Sequence, residues 1–256
     1  MQKNSVKPRY HTIDELRGFA VLCMIVYHGL YTLSYNTDVS FFYTMYKFFT
    51  PAQPYFASLF IALSGVACSF SRSNFKRGLK LLIIAVGVTL VTVVMTALGL
   101  GNFQIYFGIL HLLATGMLLS CVLIPLFKKI NISSGIIVSI ALFLITYSAE
   151  SGYIGISPFE ISLPDFLYKT NYLFMFGFYK LGFYSADYFP IFPWIFMFFA
   201  GIFIGLWERQ GKFPEKLKVS RIPFLSFLGK NALIIYIVHQ PLTYLLMYVI
   251  MGIISL

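Results

Sequence analysis

Three histidines, His28, His111 and His239, lie inside apolar stretches long enough to cross a bilayer. An imidazole ionises near neutral pH, so it can take and return a proton in acyl or proton transfer. Burying it in lipid is costly, and ionisable residues at membrane depth face a bundle interior or a water-filled cavity. Arg17 stands eleven residues before His28. Eleven helical steps of about 100° bring it back to the same face. One face of the first apolar segment thus carries a guanidinium and, roughly 16 Å further along, an imidazole. Asp14, three residues before Arg17, is placed to pair with it.

The elements that must hold these residues follow from composition. The chain has 256 residues, 59% hydrophobic and 11% charged, too apolar for a soluble domain to bury. It reads as one integral membrane domain over residues 1–256: an all-α, polytopic transmembrane bundle with about seven spans. They are expected at 13–34, 54–71, 78–98, 105–127, 133–149, 190–208 and 224–252, the last too long for one straight span, so that Pro241 kinks it or its tail emerges from the membrane. The first follows a basic N-terminus but is a full span with no small-residue cleavage site after it, so it is read as retained. Residues 166–184, rich in Phe and Tyr, are expected to form an interfacial or re-entrant segment, or an eighth crossing. Gly201 and Gly205 form a close-packing GxxxG pair. Cys23, Cys68 and Cys121 are odd in number and show no CxxC spacing, which argues against disulfides and a metal site.

The net charge of +10 does not call for nucleic acid. Of the 19 Lys and Arg, all but Lys47, Lys169 and Lys180 fall on one side of the seven spans. That side is the cytoplasm by the positive-inside rule, so the N-terminus is cytoplasmic. At about 1.5 Å per residue, His28, His111 and His239 then lie roughly 24, 20 and 21 Å from the cytoplasmic surface. They are expected to converge within about 10 Å around one polar cavity, in the outer half of the bilayer.

The stretch TIDELRGFAVLCMIVYH resembles the first span of membrane acyltransferases that carry an Arg, ten residues, then a His. LFIALSGVACS (59–69), FGILHLLA (107–114), DYFPIFPWIFMFFAGIFIGLW (187–207) and FLGKNALIIYIVHQPL (227–242) resemble, in order, the heparan-alpha-glucosaminide N-acetyltransferase catalytic-domain family, above all its short bacterial members. The resemblance implies transfer of an acetyl group across a membrane. Acetyl-CoA in the cytoplasm is the donor, and a sugar amine or hydroxyl at the outer face, such as a cell-envelope glycan, is the acceptor. It also implies a bacterial cell membrane. His28 matches the acyltransferase His, Arg17 its partner, His239 the terminal-span His and His111 the GILH stretch. The chain departs from the eukaryotic enzymes in placing a histidine within the first span and in lacking their large lumenal domain, so acceptor identity does not carry over.

Acyl transfer from a thioester needs a base, a donor to the oxyanion and cations for the CoA phosphates. His28 or His239 is the base, with His28 first on the resemblance, and the other polarises the carbonyl. The catalytic set is completed by His111 and Arg17. Arg72, Lys76, Arg77 and Lys80 form a basic cluster that can clamp CoA phosphates or only fix topology. Arg17 and Lys230, at helix starts, can serve too. Asn231, Tyr236 and Gln240 share the last span with His239 and can orient substrate. Asp187 can bind an acceptor hydroxyl or raise the basicity of a histidine. No metal is required, and the partners are lipid and glycan. The main alternative is a solute transporter or proton-coupled carrier using the same histidines, although no acid lies mid-span and no inverted repeat is visible. Oligomeric state is left open.

Overall fold

The computed structural model describes residues 10–211 and 213–254. Lys3, Lys7, Arg9 and Lys212, part of the charge asymmetry, lie outside them. In lipid every amide must be bonded within the protein, so apolar runs of this length become helices. The helices are α1 (His11–Asn36), α2 (Ser40–Phe49), α3 (Gln53–Phe70), α4 (Asn74–Ala97), α5 (Ile109–Phe127), α6 (Ile132–Ile145), α7 (Ile191–Arg209), α8 (Pro223–Lys230) and α9 (Ala232–Ile254). Seven stretches are long and apolar enough to cross a bilayer: His11–Asn36, Ser40–Phe70, Asn74–Ala97, Ile109–Phe127, Ile132–Ser151, Ile191–Arg209 and Ala232–Val249. Each falls on an expected span, and the chain is mostly helical.

Two local expectations, both on the last span, are corrected. The last span is two helices, broken at Asn231, while Pro241 sits inside an uninterrupted α9. Residues 166–184 make no span. They carry short 3-10 turns at Asp165–Tyr168 and Phe174–Phe176. A hairpin of β1 (Tyr153–Ile156) and β2 (Phe159–Ser162) precedes them, antiparallel, with Ile154 opposite Ile161.

The chain forms two compact units, Met1–Leu63 with Phe213–Leu256, and Ser64–Lys212, with the boundary inside α3. In the first, α1 packs against α2, α8 and α9. The α1–α8 crossing depends on two glycines. A Cβ on Gly18 would lie 1.9 Å from the Leu225 carbonyl oxygen, and one on Gly229 would lie 1.8 Å from that of Asp14. Small residues let backbones approach this closely in membranes. Glu15 then holds the start of α8. Its Oε1 accepts from Ser220 Oγ at 2.9 Å, Arg221 N at 2.7 Å and Ile222 N at 2.9 Å. An anion there satisfies amides that a helix start leaves open.

In the second unit α4 packs on α5, α6 on α7 and α5 on α7. Gly205 of the GxxxG pair meets Ser69, to whose Oγ an added Cβ would come within 2.7 Å, and Ser69 Oγ donates to the Ile202 carbonyl at 3.0 Å. The helices leave apolar side chains such as Ile83, Leu90, Val91, Ile137 and Val138 exposed, as lipid-facing surfaces require.

Candidate functional site

The α1–α9 contact brings His28 and His239 together. Their ring centroids are 5.2 Å apart, with the planes tilted by 51°. His239 is buried, and its Nδ1 lies 2.6 Å from the Tyr236 carbonyl oxygen, one helical turn back. A carbonyl only accepts, so Nδ1 carries the proton of the neutral ring and Nε2 keeps its lone pair. Nε2 is buried and has no hydrogen-bond partner among the described residues. Tyr236, also buried, sets its ring 5.5 Å from that of His239. The half-buried Gln240 adds a buried Oε1 with no partner among the described residues. Of the three histidines expected to converge, the two from the first and last spans lie side by side.

Tyrosines continue from this pair. The Tyr27 ring is 5.6 Å from that of His28 and 5.5 Å from that of Tyr46 on α2. Tyr31 lies 4.7 Å from Tyr35 and 5.5 Å from Tyr46, ring to ring. Tyr46 was not singled out by sequence, because nothing in its spacing predicts that α2 folds back on α1.

Arg17 is turned to structure as much as to solvent. Its Nη1 is 3.4 Å from Asp14 Oδ1, as expected, and its Nη2 donates to the Leu63 carbonyl at 3.3 Å. Asn231 donates from Nδ2 to the Phe227 carbonyl at 2.9 Å, closing the end of α8, and Lys230 beside it is exposed.

His111 lies in the second unit with the opposite proton arrangement. Its Nδ1 accepts from the Gly108 amide at 3.3 Å, so Nε2 carries the proton and can donate to Thr89 Oγ1, 3.3 Å away. The ring stacks on Phe107 at 5.4 Å. Both nitrogens are engaged, as in a helix cap. Asp187 works beside it: Oδ2 accepts from the Ile109 amide at 3.1 Å, from a backbone with φ of 49°. Together they close the start of α5. Arg72, Lys76, Arg77 and Lys80 are exposed at the start of α4, with Arg77 Nη1 3.5 Å from the Ala67 carbonyl. Lys128 and Arg209, read from sequence only as topology signals, line a pocket of about 270 Å³ together with Phe127 and Leu206.

Glu15 carries no sequence signal of this anchoring role. An acid in the first turn of a helix reads as dipole compensation, and its partners lie some two hundred residues away in sequence.

The model of one family, described as heparan-alpha-glucosaminide N-acetyltransferase, catalytic, matches residues 9–241. No curated protein and no solved structure matches the chain.

Proposed function

Since the chain belongs to the heparan-alpha-glucosaminide N-acetyltransferase catalytic family, a family of transmembrane acetyltransferases, we propose that it moves an acetyl group from cytoplasmic acetyl-CoA to a sugar amine or hydroxyl at the outer face of a bacterial cell membrane. The N-terminus is cytoplasmic on this reading, in accord with the basic residues. One observation carries it: His239 Nε2, a lone pair with no partner among the described residues, stands beside His28 inside the α1–α9 contact. Leaving a buried acceptor open costs about 1–3 kcal/mol. A substrate that brings a proton to that nitrogen removes the cost.

The chemistry follows from the tautomer. The acceptor N–H or O–H gives its proton to His239 Nε2 as its nitrogen or oxygen bonds to the acetyl carbon. The carbonyl π pair moves onto oxygen. The intermediate collapses, the C–S bond breaks, and CoA leaves as a thiolate that takes the proton back from His239. Tyr236 holds Nδ1–H, orienting the ring and stabilising the imidazolium. His28, whose ring lies 5.2 Å from that of His239, polarises the thioester carbonyl. Tyr31, Tyr35 and Tyr46 offer ring faces and hydroxyls against which a sugar can lie. Lys230, exposed at the end of α8, supplies a cation for the CoA phosphates.

The test is to give membranes labelled acetyl-CoA and fractionated envelope glycans. Label should reach a glycan fraction in wild type and fail to do so in His28→Ala at equal expression. Proton-driven solute uptake without acetyl transfer would favour the carrier reading instead.

A further inference from the structure

Thr32 lies four residues after His28 on α1, on the same helix face and about 6 Å further along. It is fully buried, and its Oγ1 has no hydrogen-bond partner among the described residues. Thr12 Oγ1 in the first turn of α1 is also without a partner, but it has no carbonyl four residues back within the helix to use. Thr44, Thr92, Thr96 and Thr243 each donate to the carbonyl four residues back, at 3.0, 2.9, 3.0 and 2.7 Å. For Thr32 that carbonyl belongs to His28, and the hydroxyl does not use it. Of the five buried side-chain polar atoms without a partner on α1 and α9 among the described residues, His11 Nδ1 and Thr12 Oγ1 lie in the first turn of α1, whereas Thr32 Oγ1, His239 Nε2 and Gln240 Oε1 lie on the stretches that carry the histidine pair. Native proteins seldom leave such groups open; water, an ion or a ligand completes them. A hydroxyl that can donate and an imidazole nitrogen that can accept are the complementary halves of an acyl-transfer site.

We propose that the Thr32 hydroxyl is a catalytic hydrogen-bond donor to the acetyl carbonyl oxygen as that oxygen takes up negative charge. This rests on the acetyl-transfer reading above. The proton of the acceptor passes to His239 Nε2, the carbonyl electron pair moves to an oxygen held by Thr32 Oγ–H, and its return expels the CoA thiolate. Thr32 keeps its own proton throughout.

Thr32→Val keeps the shape and removes the donor, and Thr32→Ser keeps the donor. Both are assayed in detergent with labelled acetyl-CoA and the most active glycan fraction, beside wild type and His239→Ala. The expected result is a fall in kcat of roughly 10²-fold for Thr32→Val, the usual effect of losing one oxyanion donor, with both KM values nearly unchanged. Thr32→Ser should keep most of the activity. Ligand-free Thr32→Val should melt no lower than wild type, because it loses a buried polar group that had no partner. If Thr32→Val does not fold, Thr32→Ala is read for the same kcat loss. Wild-type kcat in a folded variant lacking the hydroxyl would overturn the proposal. So would a raised acceptor KM at unchanged kcat, which makes Thr32 an acceptor-binding group, or equal destabilisation by Val and Ser, which makes it structural. Absence of transfer by wild type sinks the underlying reading along with this one. Transfer by wild type that is lost in His239→Ala but undiminished in Thr32→Val sinks this one alone.

Discussion

His239 Nδ1 sits 2.6 Å from the backbone carbonyl of Tyr236, three residues earlier on the same helix. That contact decides which ring nitrogen is protonated, and so which can act as a base. His111 is bonded the other way round, accepting at Nδ1 from the Gly108 amide. Two buried histidines of one chain are thereby held in opposite tautomers by their backbone partners.

The first prediction follows from this contrast. His111→Ala removes a helix-start acceptor and a packed ring, costing about 1–2 kcal/mol of stability, as helix-cap removals do. Its melting temperature in detergent should fall while acetyl transfer by the folded fraction stays within about threefold of wild type, far from the 10²-fold or greater loss expected of a general base. A deep loss of kcat in a protein that melts normally would contradict it.

Backbone crowding at the α1–α8 crossing gives the second. Gly18→Val places a side chain where a Cβ alone would stand 1.9 Å from the Leu225 carbonyl oxygen. Overpacking of this kind costs about 1–3 kcal/mol or more, so the melting temperature should drop by several degrees. Gly29→Ala is the control, because an added Cβ there has nothing within 4 Å. Equal effects at the two positions would refute the close crossing.

Glu15 supplies the third. Removing its carboxylate opens three donors, those of Ser220, Arg221 and Ile222. Hydrogen bonds to a charged group contribute about 1.5–3 kcal/mol each before relaxation and rehydration. Glu15→Ala should therefore destabilise more than Glu15→Gln, which keeps an acceptor oxygen. Thermal melts of the two variants read the difference, and identical melts would argue against the anchor.

Burial, and then the Glu150 carboxylate, pushes the Tyr179 phenol up to about 12. The phenol donates to Glu150 Oε2 at 3.1 Å. Since an unfolded tyrosine titrates near about 10, the stabilisation from this contact is complete below that pH and is lost as pH rises toward about 12. In Glu150→Gln the Tyr179 midpoint should move down, read as the alkaline ultraviolet difference between proteins with and without Tyr179→Phe. An unmoved midpoint would show that the carboxylate has no part in holding it.

Much of this architecture could be read before any coordinates. The seven spans were legible because length and apolarity leave a bilayer segment little choice but helix. Depth arithmetic pointed to His28, His111 and His239 together, and the structure pairs His28 with His239. The break at Asn231 was hidden. Pro241 is the stronger breaker in isolation, but a membrane helix tolerates it, whereas Gly229 is fixed by its approach to Asp14 and ends α8 just beyond. The hairpin was missed because four-residue strands inside an aromatic loop leave too short an alternation to recognise. The orphan hydroxyl of Thr32 was invisible, because a threonine in a helix ordinarily satisfies itself on its own backbone.

The most direct test of the central claim is acetyl transfer by His239→Ala and His239→Gln in detergent, with labelled acetyl-CoA and the active glycan fraction, on protein shown to melt as wild type does. The account predicts that each variant loses 10²-fold or more of kcat, the usual effect of removing a general base. Transfer at near-wild-type rate in either folded variant would contradict it.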